Sequence, residues 1–346
     1  MRIQLIGIPF NTAFALSCDQ CPGRAECRES PLDTCTGRRK SRRVKNRIEA
    51  LVSQIGQIIV GKEAAVRLAV ACMFARGHLL IEDLPGVGKT TLAHALARSV
   101  DLQFRRIQFT SDMLPADIIG NSIFDRERQQ FIFHSGPLFS QVVLADEVNR
   151  ATPKTQSALL EAMEENHVTV DGMTHPLPLP FFVLATQNPQ HQIGTFLLPE
   201  SQLDRFLMRI ELGVPDRVAE RAILLGADRR DLLRELAPVL TATELIEIQE
   251  AVRHVTSAPA LLDYLQDLLD ASRQQHRTGL SPRAGIALLR ASQAWALMQD
   301  RGMVLPEDLQ AVGVAVMAHR LGGDLKGGSE SGRALAESLL KTVPVP

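Results

Sequence analysis

The stretch HLLIEDLPGVGKTTLAHALARSV, residues 78–100, constrains the fold more than any other part of the chain. A short apolar run is closed by a turn with two glycines, and the turn opens at once into a segment with helical spacing. A strand that is apolar at nearly every position has no wet face, so it belongs in a parallel sheet covered on both sides. FRRIQF (104–109), VVLADE (142–147) and FFVLATQN (181–188) read as further strands, with helical segments between them. Strands alternating with helices predict an α/β fold built on a doubly wound parallel sheet. Beyond Pro215 the strands stop, and ELIEIQEAVRHV, ALLDYLQDLLDASRQQ, SPRAGIALLRASQAWALM and PEDLQAVGVAVMAHRL read as amphipathic helices. The expected organisation is an N-terminal extension over 1–44, an α/β nucleotide-binding domain over 45–214 and an all-α domain over 215–346.

The glycine turn is chemistry as well as architecture. In Pro85-Gly86-Val87-Gly88-Lys89-Thr90-Thr91 the glycines let backbone amides turn inward, and the helix N-terminus adds its positive dipole. Such a loop suits an anion: Lys89 would reach the β- and γ-phosphates of ATP, and the Thr90 hydroxyl would complete a Mg²⁺ shell. Asp83 stands where the general phosphate-loop pattern begins with glycine. A carboxylate facing the phosphates would repel them, so its side chain is expected at the outer shoulder of the loop, pointing away.

Two more strand ends complete the set. VVLADE ends in Asp146 and Glu147, two carboxylates at the carboxyl edge of the sheet, where open α/β sheets bind ligands. Asp146 would hold a water on Mg²⁺, and Glu147 would orient and polarise the attacking water. Asn188, just past the strand of FFVLATQN, can donate to a γ-phosphate while accepting from that water. Taken singly, each feature has a bland explanation: a glycine turn, a solvated acidic strand end, an Asn-Pro turn. The weight lies in their combination and order.

That order, with helices behind it, resembles the core of an AAA+ ATPase followed by its helical lid. QFTSDMLPADIIG, GPLFSQVVLADEVNRATPKTQSALLEAMEE, VTVDG, FFVLATQNP and LPESQLDRFLMRI are similar, more narrowly, to the MoxR family, over residues 45–346. The resemblance implies a Mg²⁺-dependent, ring-forming ATPase, expected here as a homo-hexamer, in which a neighbouring subunit supplies an arginine to the γ-phosphate. Arg205 in QLDRF matches that arginine, with Arg150 and Arg209 as weaker candidates. Val60 and Gly61 in IIVGKE match the segment that packs on adenine. In SPR, Ser281 reads as a helix N-cap with Pro282 in the first turn, and Arg283 matches the sensor-2 arginine of AAA+ lids. A guanidinium in a first turn opposes its own helix dipole, so an external anion is expected to justify it. The resemblance further implies separate partner proteins carrying a von Willebrand factor A domain.

Composition narrows the clients. Lys+Arg 38 against Asp+Glu 39 leaves a formal net charge of -1, so no excess positive field holds nucleic acid or an anionic membrane. No uninterrupted apolar run reaches the roughly 18 residues of a membrane-spanning helix, and membrane insertion is not expected. Two hairpins are predicted, one over 122–134 and one in HVTVDGMTHPLPL, where Asp171-Gly172 suits a tight two-residue turn. From His167 to Asn188 there is no Lys or Arg, which makes nucleic acid the weaker substrate. An ATP-driven remodelling chaperone is therefore preferred over a nucleic-acid motor or a magnesium-chelatase-like subunit.

The head of the chain stands apart. MRIQLIGIPFNTAFALSC has an apolar stretch broken by Pro9, Asn11 and Thr12, which argues against a secretory signal and for a cytoplasmic protein. Cys18, Cys21, Cys27 and Cys35 are spaced C-x2-C-x5-C-x7-C. Thiolates at this spacing can hold zinc or an iron–sulfur cluster. A disordered tail, or a true start near GRRKSRRVKNR, fits the same residues. Cys72, in an Ala/Val-rich segment, reads as a small buried hydrophobe.

Overall fold

The computed structural model describes residues 35–188, 195–226, 229–275, 279–321 and 328–345. The chain divides into two compact units, 1–41 and 42–346. Of the first unit only the opening turns of helix α1 (Cys35–Ile58) are described. That helix begins inside the segment expected as an extension; Cys18, Cys21 and Cys27 lie outside the described residues.

In the second unit, α2 (Glu63–Phe74) leads into β1 (Leu79–Glu82), and the glycine turn opens α3 (Lys89–Ser99). There follow β2 (Phe104–Gln108), α4 (Pro115–Ile119), the hairpin β3 (Gly120–Asp125) and β4 (Gln130–Ser135), β5 (Val142–Asp146) and α5 (Pro153–Glu165). A second hairpin, β6 (His167–Val170) and β7 (Met173–Pro176), precedes β8 (Phe182–Gln187), α6 (Glu200–Leu203) and β9 (Met208–Ile210). From there on the described elements are helical: α7 (Arg217–Leu225), α8 (Arg229–Glu235), α9 (Ala242–Arg253), α10 (Pro259–Gln275), α11 (Pro282–Met298), α12 (Pro306–Leu321) and α13 (Gly328–Thr342).

Five strands form one parallel sheet in the order β2-β5-β8-β1-β9. Side chains alternate across a strand, so the apolar strands β1, β5 and β8 are buried on both faces, whereas the edge strand β2 exposes Arg105, Arg106 and Gln108. Leu79 and Ile81, Val142 and Leu144, and Phe182 and Leu184 pack into one core with α1, α2, α3 and the C-terminal helices. Leu80, Val143, Ala145, Val183 and Ala185 face the other way, into a second core with α4 and α5. Cys72 is fully buried in the first core, and that burial pushes its thiol pKa up.

His78 fixes the start of β1 to β8 and to α5. Its Nδ1 accepts from the Val183 N–H at 3.0 Å, and Nε2 lies 3.0 Å from the Met163 carbonyl at the end of α5. Burial pushes its pKa down to about 4, so the ring is neutral, with Nε2 the donor.

Several helix starts follow from local sequence. The Ser281 hydroxyl accepts from the Ala284 N–H at 3.1 Å, with Pro282 in the first turn of α11, as the sequence predicts. Thr241 and Glu244 form a capping box at α9. The helical region is tied to the sheet through the segment before β9. Arg320 donates from Nε to Asp204 Oδ1 at 2.6 Å and from Nη2 to the Phe206 carbonyl at 2.7 Å, and Ser281 Oγ donates to Asp204 Oδ2 at 3.2 Å.

Both predicted hairpins are present. Asp171 and Gly172 have φ of 51° and 78°, the left-handed pair that a tight two-residue turn needs. The hairpins meet where Phe133 stacks on His175, with ring centroids 3.9 Å apart.

Candidate active site

The phosphate loop leaves β1, which lies between β8 and the edge strand β9. Gly86 and Gly88 have φ of 87° and 102°, and a Cβ at either would meet open space. Glycine is required there by backbone conformation, not by crowding. Gly88 is the N-cap of α3. The first amides of α3 have no side-chain cap, and Gly88, Lys89, Thr90 and Thr91 line the cavity beyond.

That cavity, about 330 Å³, is lined by the loop and by residues from three strand ends. Pro85, Gly86, Gly88, Lys89, Thr90 and Thr91 come from the loop and α3, Arg106 and Gln108 from β2, Asp146 and Glu147 from the end of β5, and Asn188 from the end of β8. Val87 instead turns back against the first core. The Lys89 ammonium is buried, donating to the Asp83 carbonyl at 2.6 Å and to Asn188 Oδ1 at 3.3 Å. Burial pushes its pKa down, while Asp83, Asp146 and Glu147 pull it back up. A cation with few solvent contacts and a row of acceptors on one side is set to meet an anion on the other.

Asp83 behaves as its position demands. Its carboxylate turns away from the cavity and accepts from the Leu84 N–H at 2.8 Å and from the Leu212 and Gly213 N–H groups at 2.6 Å each. It thereby stitches the end of β1 to the chain leaving β9. Asp83→Gly, although it restores the general phosphate-loop pattern, is expected to destabilise the fold by about 3 kcal/mol, because buried amides lose a charged acceptor. Urea unfolding measures this, and an unshifted midpoint would show that the carboxylate is dispensable.

The two carboxylates of β5 are held differently. Asp146 is buried; Thr186 Oγ1 donates to its Oδ1 at 2.6 Å, and Arg106 donates to its Oδ2 from Nη2 at 2.6 Å and from Nε at 3.1 Å. Glu147 adopts φ of 56°, which breaks the strand and swings its carboxylate toward Gln108 Nε2 at 3.1 Å and Arg150 Nη1 at 2.9 Å. The Glu147 N–H donates to Thr186 Oγ1 at 2.9 Å, so one hydroxyl fixes both acids. Thr186, Arg106 and Gln108 lie outside the sequence-predicted set. Thr186 had one visible signal, its place near the end of β8, the strand that delivers Asn188; Arg106 and Gln108 lie on β2, which delivers none of the predicted residues.

Donor chemistry fits Mg²⁺. The Thr90 hydroxyl and the Asp146 carboxylate are hard oxygen donors lining the same cavity. Among the described residues no soft ligand lines it.

Other predicted residues fall elsewhere. Val60 and Gly61 occupy the turn between α1 and α2, where Gly61 faces Ala219 of α7, and they do not line the cavity. Arg209 is buried and paired with Glu82 at 3.0 Å, which removes it as a residue for a neighbour. Arg150 is committed to Glu147 of its own chain. Arg205 and Arg283 do not line the cavity either; both pair with Glu164, Arg205 through Nε at 3.1 Å. The anion that the first turn of α11 calls for is, in the single chain, this carboxylate.

Comparison with known proteins places this geometry among relatives. A sequence family described as "ATPase family associated with various cellular activities (AAA)" matches residues 78–208, and one described as "AAA lid domain" matches residues 270–338. A Bacillus subtilis (strain 168) protein, YeaC, described as uncharacterized, is 42% identical over 85% of this chain and 93% of its own. Chaperone MoxR1 of Mycobacterium tuberculosis is 38% identical over 79% of this chain and 75% of its own. The crystal structure of a candidate ATPase from Cytophaga hutchinsonii superposes with a TM-score of 0.81 at 34% identity, covering 91% of this chain and 99% of that one.

Proposed function

The chain belongs to the MoxR family of AAA+ ATPases, and on that premise we propose that it hydrolyses ATP with Mg²⁺, as a homo-hexamer, to remodel partner proteins. The convergence of Lys89, Asp146, Glu147 and Asn188 on one cavity behind the glycine loop carries the proposal. The loop amides and Lys89 bind and orient the phosphates. Mg²⁺, held through Thr90 and Asp146, would neutralise charge between the β- and γ-phosphates. Glu147 is the group that orients the attacking water, with Gln108 and Arg150 fixing its carboxylate. Asn188 reads the γ-phosphate beside Lys89. Arg205 serves the site of the next protomer, and Val60 with Gly61 forms the adenine side.

For the client, a polypeptide fits better than nucleic acid. The β6–β7 hairpin has no Lys or Arg, while Phe131 of β4 and Met173 of β7 are 72% and 66% exposed. Phe124 and Phe131 form an edge-to-face pair, with ring centroids 5.3 Å apart, on the β3–β4 hairpin. A phosphate backbone would gain little from the cation-free β6–β7 hairpin, whereas apolar side chains would gain from the exposed Met173 and Phe131. The family resemblance points to a separate protein with a von Willebrand factor A domain as partner. ATP supply places the work in the cytoplasm; among the described residues no helix is long and apolar enough to cross a membrane.

The test is phosphate release by the purified full chain with Mg²⁺, alone, with single- or double-stranded DNA, and with a von Willebrand factor A domain protein. Stimulation by the protein partner is the expected outcome. Stimulation by DNA alone would overturn the client assignment.

A further inference from the structure

One carboxylate joins the two arginines that the cavity lacks. Glu164 stands in the last turn of α5; its Oε2 lies 3.1 Å from Arg205 Nε, and its Oε1 accepts from Arg283 Nη2. The three side chains come from separate elements: the end of α5, the segment between α6 and β9, and the first turn of α11. A negative charge at a helix C-terminus and a positive charge at a helix N-terminus each oppose their own helix dipole. Glu164 and Arg283 are both misplaced in this sense, and each is the other's compensation. Local helix energetics therefore do not explain either residue; the contact between them does.

The surroundings hold this contact in place. Asp204, next to Arg205, receives Arg320 of α12 and the hydroxyl of Ser281, the N-cap of the helix carrying Arg283. The backbones of Arg205 and Arg283 are thus fixed to each other before their side chains meet Glu164. The guanidiniums remain accessible, at 29% and 45% exposure, and among the described residues neither has another acidic partner. Without the carboxylate, two like charges at one place would repel, and two long side chains would regain rotamer freedom.

We infer that Glu164 is a positioning residue, which holds Arg205 and Arg283 side by side as one cationic face for the γ-phosphate bound by a neighbouring protomer. The inference rests on the proposal that Arg205 acts in trans. It adds that Arg283 works from the same face, so both arginines respond to the neighbour's nucleotide together. A γ-phosphate brings more charge than one carboxylate, so it can share both guanidiniums without dissolving their arrangement.

The experiment is steady-state ATP turnover of the full chain as Glu164→Gln, Arg205→Ala and the double variant, with KM for ATP, nucleotide Kd and melting temperature recorded for each. Glu164→Gln is expected to lower kcat about tenfold or more with KM and Kd unchanged, the scale of a mispositioned charged contact. In the Arg205→Ala background the same change should cost little further. Full turnover in Glu164→Gln, with Arg205→Ala impaired, would overturn the role of Glu164 and leave the trans arginine standing. Full turnover in Arg205→Ala would instead remove the premise. A loss in Glu164→Gln that is additive with Arg205→Ala and tracks a lowered melting temperature would make Glu164 a structural residue only.

Discussion

Arg205→Ala is expected to lower ATP turnover by about 10³-fold or more, the scale of a guanidinium that stabilises charge developing on a transferred phosphoryl group. Nucleotide affinity should barely move, because Arg205 does not line the phosphate cavity of its own chain. It is part exposed and, among the described residues, paired with Glu164 alone. The other arginines near the sheet edge are spent: Arg209 is buried on Glu82 and Arg106 is bound to Asp146. Mixing Arg205→Ala subunits with Glu147→Gln subunits provides the decisive measurement. Neither parent turns over, yet an interface can combine an intact Glu147 from the first with an intact Arg205 from the second. Recovery of turnover on mixing is expected; its absence, in assemblies shown to contain both subunits, would count against action in trans.

Glu147→Gln should lower turnover by about 10²- to 10⁴-fold while ATP stays bound, the range for removal of a group that positions and polarises a nucleophile. Glutamine keeps the shape and can still meet Gln108 and Arg150, so the loss isolates the carboxylate charge. The left-handed backbone at 147 and the bond from its N–H to Thr186 are independent of that side chain's charge. Phosphate release and equilibrium nucleotide binding, measured on one preparation, separate the two effects. Undiminished turnover would remove Glu147 from its role, and lost binding would recast it as a nucleotide-affinity residue.

Although β9, three residues long, was not read as a strand, the other four of the sheet's five strands, the phosphate loop and the acids at the end of β5 were legible in the sequence by itself. These depend on short-range patterns: apolar runs of strand length, two glycines that only a left-handed backbone explains, and carboxylates directly after a strand. Even the outward turn of Asp83 was legible, since a negative charge facing phosphates is excluded on electrostatic grounds alone. The donors it accepts from were not, because the Leu212 N–H lies 129 residues away and backbone amides carry no sequence signature. Thr186, Arg106 and Gln108 were hidden for a related reason: a polar residue in a strand reveals its partner only when register sets neighbouring strands side by side, here Gln108 beside Asp146. The tertiary structure alone brought Arg205 and Arg283 to Glu164, since nothing periodic links the end of α5, the approach to β9 and the first turn of α11. Covalent neighbours are fixed by the chain and can be read along it, whereas charges that meet across a fold are fixed by packing, and only the packed molecule displays them.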